Sequence, residues 1–312
     1  MSSTENTGST ENTGSTENTS STANTSRPGT ALARVESDGA IVWAVRRGEE
    51  YSPLGSSLSE LLRLTPADAR EHVESATGGG LSPSRILAPI DPQQEVWAAG
   101  VTYRRSRDGR IEEATDGTPY DRVYAAERPE LFFKSTGARV VGPGEPVGIR
   151  ADSDWNVPEP ELGLVLDSAG GLFGYVAGDD ASSRSIEGEN LLYLPQAKVY
   201  TAACGLGPEI VPAWEAGPPF AIGLEIRRGG AVVFSGAAST DQLARRLEDL
   251  ADWLFRALEF PDGAILLTGT GVVPEADFTL LPGDEVAVDI AGIGRLVNPV
   301  TKVGRGQEGG TR

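Results

Sequence analysis

The stretch VPEPELGLVL (157–166), followed by GYVAGDDASSRSIEGEN (174–190), decides how this chain folds. Side chains alternate along a strand, so Glu159, Glu161, Gly163 and Val165 share one face, and Leu162, Leu164 and Leu166 share the other. Two carboxylates thus leave a strand whose opposite face is apolar. Like charges two residues apart are unfavourable unless both are solvated or a cation lies between them. Alternation alone leaves both readings open, because acidic edge strands are ordinary. Nineteen residues past Glu161 comes Asp180, where a second strand runs out into a polar, helix-starting stretch. Strand ends are where functional side chains collect. Its neighbour Asp179 can equally act as a helix cap. Eighteen residues further on, Lys198 stands in LPQAKVY, in a chain whose other lysines are Lys134 and Lys302.

Working outward from this pair, short strands are expected at EVWAAGV (95–101), ELFFK (130–134), AILLTG (264–269) and EVAVDI (285–290). AIGLEIRRGGAVVFSG (221–236) reads as a hairpin turning at Gly229-Gly230. One amphipathic helix is expected from about Thr240 to Leu258, with Leu243, Leu247, Leu250, Leu254 and Leu258 at helical spacing. Its stripe reads as core packing. The 39 glycines and 21 prolines in 312 residues suit a turn-rich, strand-dominated fold.

Upstream, AIVWAVRR after Ser37-Asp38-Gly39 reads as a strand, and Thr65-Pro66 as the cap and first turn of a helix. On that helix lies the single histidine, His72, read as a solvated face residue. Residues 29–90 are therefore expected to form a small α+β N-terminal domain and residues 91–304 the main domain. Residues 1–28, dominated by STENTG-like hexapeptides without a large apolar side chain, are expected to be a disordered tail, and residues 305–312 a second one.

Composition excludes several function classes. The formal charge is −18, and three of those charges are Glu5, Glu11 and Glu17 in the repeats, which leaves −15 on the body. Such a surface repels phosphate backbones, so nucleic acid is not an expected partner. With one cysteine and one histidine there is no zinc-type cluster, and any metal must sit on oxygen ligands. The absence of a long apolar run and of a signal-like start points to a cytoplasmic protein with no membrane partner.

In order along the chain, Glu159-x-Glu161, then Gly174, Asp180 and Arg184, then Lys198, resemble the fumarylacetoacetate hydrolase superfamily. GVTY (100–103), FFK (132–134), LGP (206–208), TGT (268–270) and the L-x-PGD turn (280–284) extend the likeness over roughly residues 95–300. It implies a fumarylacetoacetase-type β-roll/sandwich domain and a divalent metal on Glu159, Glu161 and Asp180. All-oxygen ligation favours Mg2+, with Mn2+ or Ca2+ as alternatives. The small-molecule partner implied is a 2-oxo acid, and the assembly a homodimer or homotetramer. The stretches SSRSIEGENLLYLPQAKVY and PELFFK look most like the 2-dehydro-3-deoxy-D-arabonate dehydratase branch. The hydrolase branch carries a His-Glu pair after the GVTY-like segment, whereas RRSRDGRIEEATDG (104–117) has no histidine, which argues against water activation by that route. The implied activity is a metal-dependent hydro-lyase that dehydrates a 2-oxo-3-deoxy sugar acid through a metal-stabilised enolate. An acylpyruvate-type hydrolase or decarboxylase, or a divergent or non-catalytic member, is the alternative. Lys198 and then Glu130 are the expected proton carriers, and Tyr103, Phe133, Arg184 and Thr270 the expected substrate contacts. Ser185 and Thr201 stand where the family usually has acids.

Overall fold

Asp167 closes the turn that sets the central hairpin: its Oδ1 accepts the N–H groups of Ala169 at 2.9 Å and Gly171 at 2.8 Å. Strands Pro160–Leu166 and Leu172–Asp180 therefore pair antiparallel, with Glu161 opposite Gly178. The Asp180 N–H reaches the Glu159 carbonyl at 3.0 Å, so the two site carboxylates sit across from each other through register alone. The protein is described here by a computed structural model that covers residues 29–113 and 118–305. The repeat tail expected at 1–28, and all of the tail expected at 305–312 except its first residue, lie outside the described residues.

The fold is strand-dominated and mixed α/β. Around the hairpin a ten-stranded sheet extends both ways. On one side lie Cys204–Pro212, Thr30–Ser37, Ala40–Arg47 and Glu50–Pro53. On the other lie Ala264–Leu267, then Glu95–Gly100 parallel to it, and the edge strand Glu130–Thr136. A second, five-stranded sheet contains the Ala221–Arg228/Ala231–Ser239 hairpin, whose turn glycines Gly229 and Gly230 both take positive φ.

The two faces of Pro160–Leu166 enter different cores, as the alternation requires. Leu162, Leu164 and Leu166 pack against Leu224, Val286, Val288 and Leu296 of the second sheet. Val165 packs with Val176, Ile265 and Leu267 against Leu58, Leu61 and Val73, on two helices of the N-terminal segment. That segment, residues 29–90, joins the main sheet through the pairing of Thr30–Ser37 with Cys204–Pro212, and its helices share the main core. Helix Pro66–Ser75 carries Thr65 as N-cap and Pro66 in its first turn, and His72 on it is half-buried with Nε2 3.1 Å from Ser56 Oγ.

The helix expected over 240–258 is shorter. Its α-helical part is Leu247–Phe255, with Leu247, Leu250 and Leu254 buried. Leu243 is extended instead, bridged to Tyr103, while the Ala244 N–H donates to Thr102 O at 2.9 Å. Leu258 is exposed. Leucine spacing continues past both ends of the helix, but Leu243 is held by its bridge to Tyr103 and Leu258 lies exposed beyond the last turn. Among the described residues no helix is long and apolar enough to cross a membrane.

Candidate metal centre

The site gathers at one end of five adjacent strands. Glu159 and Glu161 come from the start of Pro160–Leu166, Asp180 from the end of Leu172–Asp180, and Gly269 and Thr270 from just past Ala264–Leu267. One oxygen from each of Glu159, Glu161 and Asp180 lies within 4.8 Å of the others, and all three side chains are buried. The spacing suits three monodentate ligands around one cation.

Backbone groups hold these carboxylates in place. Glu161 Oε2 accepts the Gly269 N–H at 2.7 Å. Gly269 has φ +90°, and a Cβ there would overlap Thr102 Oγ1 and come within 2.9 Å of Ala99 O, so only glycine fits. Asp179, the neighbour passed over as a ligand, turns the other way and accepts the Glu159 N–H through Oδ1 at 3.1 Å.

Among the described residues, three cations face the carboxylates. Lys198 Nζ lies 2.9 Å from both Glu159 Oε1 and Asp180 Oδ2 and donates to Ser182 Oγ at 2.6 Å. Lys134 pairs with Asp180 Oδ1 and donates to the carbonyls of Ala181 at 3.0 Å and Lys198 at 2.6 Å. Arg184 reaches Glu159 Oε1 at 3.1 Å and Glu187 Oε2 at 3.5 Å. Glu159, Glu161, Asp179, Asp180 and Glu187 are at most 5% exposed, as are Lys134, Lys198 and Arg184. Among the described residues, five buried carboxyl groups stand here against three buried cations, a charge of −2 when all are ionised, which one divalent cation cancels. Burial, then Asp180, then Glu159 hold the Glu161 carboxyl well above the usual carboxylate range. Burial pushes Asp179 up to about 7. The donor set and the charge deficit both fit a hard divalent ion such as magnesium.

A small cavity opens onto the carboxylates. Glu130, Phe132, Lys198 and Thr270 line it, together with Ala99, Gly100, Val101, Ser106 and Glu187. Val101 takes φ +54°, unusual for a β-branched residue and typical of strain kept at a site. Glu130, Lys198 and Thr270 are thus brought together with the metal carboxylates. Phe133, expected as a substrate contact, is not among the lining residues. It stacks edge-on with Trp97 at 5.9 Å, and Phe132, on the opposite side of the strand, lines the cavity with its ring centroid 5.5 Å from Lys198 Nζ. Period-two alternation in ELFFK puts Glu130, Phe132 and Lys134 on one face, and that signal was available in the sequence. Arg184 lies behind the wall, bound to Glu159 and Glu187. Tyr103 is also outside the lining. Its hydroxyl is buried without a hydrogen-bond partner, and burial, with Glu161 and Asp241 adding to it, raises its pKa. Ser185 Oγ lies 2.8 Å from Ser153 Oγ, away from the ligands, and Thr201 is exposed, so neither departure from the family pattern touches the carboxylates.

Residues 95–301 match the fumarylacetoacetate (FAA) hydrolase C-terminal domain. The chain is 48% identical over 217 residues to the probable 2-keto-3-deoxyxylonate dehydratase of Haloferax volcanii, across 69% of this chain and 74% of that one. It is 46% identical over 224 residues to the 2-dehydro-3-deoxy-D-arabinonate dehydratase of Saccharolobus solfataricus, across 70% and 75%. A solved structure of 2-keto-3-deoxy-D-arabinonate dehydratase complexed with magnesium and 2,5-dioxopentanoate superposes with a TM-score of 0.77 at 36% identity, over 88% of this chain and 100% of that one.

Proposed function

This chain belongs to the fumarylacetoacetate hydrolase family, and on that footing we propose that it is a magnesium-dependent hydro-lyase removing water from a 2-keto-3-deoxy pentonate of the arabinonate or xylonate type. The observation that carries the reading is the buried Glu159–Glu161–Asp180 trio, in a cluster that, among the described residues, is two positive charges short of neutrality. When bound, magnesium supplies Lewis-acid chemistry, chelating the substrate's carboxylate and 2-oxo oxygens and acidifying the C3 protons.

The protein's own residues supply the rest. Lys198, fixed by Ser182 and by Lys134 on its own carbonyl, presents Nζ beside the trio and, as the neutral amine left once its own proton has been released, takes a C3 proton. Glu130 packs its carboxyl against Gly100, in the cavity wall, and delivers a proton to the departing C4 hydroxyl, which leaves as water. Phe132 and Thr270 shape the pocket around the substrate. Burial of the whole cluster excludes bulk water, which favours elimination over hydrolysis.

We take the protein to work in the cytoplasm as a homodimer or homotetramer. The exposed apolar run Leu191-Leu192-Tyr193, with Leu192 83% exposed, supports self-association, and light scattering on the purified protein tests it.

Incubating the protein and Mg2+ with 2-keto-3-deoxy pentonates and, separately, with acylpyruvates tests the function. Formation of 2,5-dioxopentanoate is expected from the pentonates. Pyruvate release from the acylpyruvates alone would make it a hydrolase, and binding without product a non-catalytic member.

A further inference from the structure

Ser106 is a hydroxyl of the cavity that neither the metal trio nor the proton transfers use. It lies in the first turn of helix Arg104–Glu113, 6% exposed, and lines the same cavity as Glu159, Glu161, Asp180, Glu130 and Lys198. The Arg107 N–H closes that turn on Tyr103 O at 3.0 Å, and the helix packs against Arg184–Glu189. Among the described residues the Ser106 hydroxyl makes no hydrogen bond, and it is not sealed in the packing as the Tyr103 hydroxyl is, so it opens onto the cavity. Thr270, the other hydroxyl of the lining, is spent on its own loop: its Oγ1 donates to Val272 O and accepts the Val272 N–H, each at 3.1 Å. With no base hydrogen-bonded to it, the Ser106 hydroxyl is not an activated nucleophile. It is a binding group, able both to donate a hydrogen bond and to accept one.

The polar groups of a 2-keto-3-deoxy pentonate can be matched to this lining one by one. Its carboxylate and 2-oxo oxygens go to the metal, its C3 proton goes to Lys198, and its C4 hydroxyl leaves with the proton from Glu130. The C5 hydroxyl is the group that remains, and Ser106 is the lining hydroxyl that remains to meet it. We propose that Ser106 is a specificity-determining residue: it hydrogen-bonds the C5 hydroxyl of the substrate and so selects 2-oxo acids with a hydroxylated end over those that end in a methyl group. The assignment rests on the magnesium-dehydratase reading for the head of the substrate and adds the recognition of its other end. A hydroxyl matched to a hydroxyl discriminates because an analogue that lacks the group closes the site over an unpaired Ser106.

The test compares two compounds that share the 2-oxo acid head and the C4 hydroxyl: the 2-keto-3-deoxy pentonate, and 4-hydroxy-2-oxopentanoate, whose C5 is a methyl group. Water loss from each is followed in Mg2+ with the wild type and with Ser106→Ala, alanine being the better helix former and so compatible with the fold. The wild type is expected to favour the pentonate in kcat/KM by at least roughly tenfold, the worth of one neutral hydrogen bond in a closed site. Ser106→Ala is expected to lower kcat/KM for the pentonate by roughly tenfold and to leave that for 4-hydroxy-2-oxopentanoate, and the Mg2+ affinity, as they were. A merely structural role would lower both substrates alike, and that result overturns the proposal. So does a wild type without preference between the two, or a Ser106→Ala protein that handles the pentonate as the wild type does. Should Ser106→Ala fail to fold, Ser106→Cys, which replaces the hydroxyl by a weak donor of similar size, carries the same comparison. A wild type that dehydrates neither compound in Mg2+ brings down the dehydratase reading and this assignment with it, a result distinct from the others.

Discussion

Gly269→Ala probes the scaffold beneath the metal ligands. Gly269 sits at φ +90°, its N–H is 2.7 Å from Glu161 Oε2, and an added Cβ would overlap Thr102 Oγ1 and approach Ala99 O to 2.9 Å. Thr102 cannot yield freely, because its Oγ1 donates to Thr268 O at 2.7 Å in the core. The left-handed backbone costs alanine about 1 kcal/mol, and the overlap with buried atoms about 1–3 kcal/mol more, so the variant should lose about 2–4 kcal/mol of stability. Relieving the overlap moves the Gly269 N–H off Glu161, and losing a hydrogen bond that orients a metal carboxylate weakens metal affinity by about 10- to 100-fold. Gly292→Ala is the control: Gly292 also has positive φ, +77°, but no atom within 4 Å of a built Cβ. It should lose only about 1 kcal/mol and bind Mg2+ normally. Urea denaturation gives the stabilities and calorimetric titration the affinities. If Gly269→Ala bound Mg2+ as the wild type does and lost no more stability than Gly292→Ala, the account of how Glu161 is held would be wrong.

Other perturbations have defined outcomes. Lys198→Met should cut the dehydration rate by about 10²–10⁴-fold while Mg2+ binding persists or tightens, since an ammonium leaves Glu159 and Asp180; unchanged turnover would remove Lys198 from the chemistry. Phe132→Leu should raise KM for the pentonate, whereas Phe133→Leu should affect stability alone, and steady-state kinetics on the pair separates them. The magnesium-free protein should lose stability as pH rises from about 4 to 7. Burial lifts Asp179 from 3.8 to about 7, so across that window the folded form holds a proton the unfolded form has released. The loss is up to about 4 kcal/mol, and Asp179→Asn should remove it while keeping the bond from the Glu159 N–H. Urea midpoints at pH 5 and pH 8 read the difference, and an equal slope in the variant would contradict the assignment.

Much of the site was legible in the sequence because it depends on local periodicity. Alternation along 159–166 set the two glutamates apart from the leucines, and the strand end marked Asp179 and Asp180. Which aspartate faces the glutamates depends on hairpin register, which the Asp167 turn fixes and spacing does not reveal. Phe133 lies outside the cavity lining, and the alternation of ELFFK that puts Glu130 and Phe132 on one face was readable in the sequence. Over-extension of the 240–258 helix had a different cause. Leucine spacing fits a helix through Leu243, but Leu243 is spent on a bridge to Tyr103. Such long-range contacts leave no mark in spacing. The same holds for Lys134 on the Lys198 carbonyl and for Arg184 between Glu159 and Glu187, each joining elements that meet only in the folded chain.

The central claim is that Glu159, Glu161 and Asp180 hold one catalytic divalent ion. Titrating the metal-stripped protein with Mn2+, read by electron paramagnetic resonance of the unbound ion, tests it most directly, with Glu161→Ala alongside and dehydratase activity followed in the same samples. One tight site per chain in the wild type, activity rising with its occupancy, and a folded Glu161→Ala protein lacking both is the predicted result. Full wild-type activity in excess chelator, or a Glu161→Ala protein that binds Mn2+ like the wild type, would contradict it.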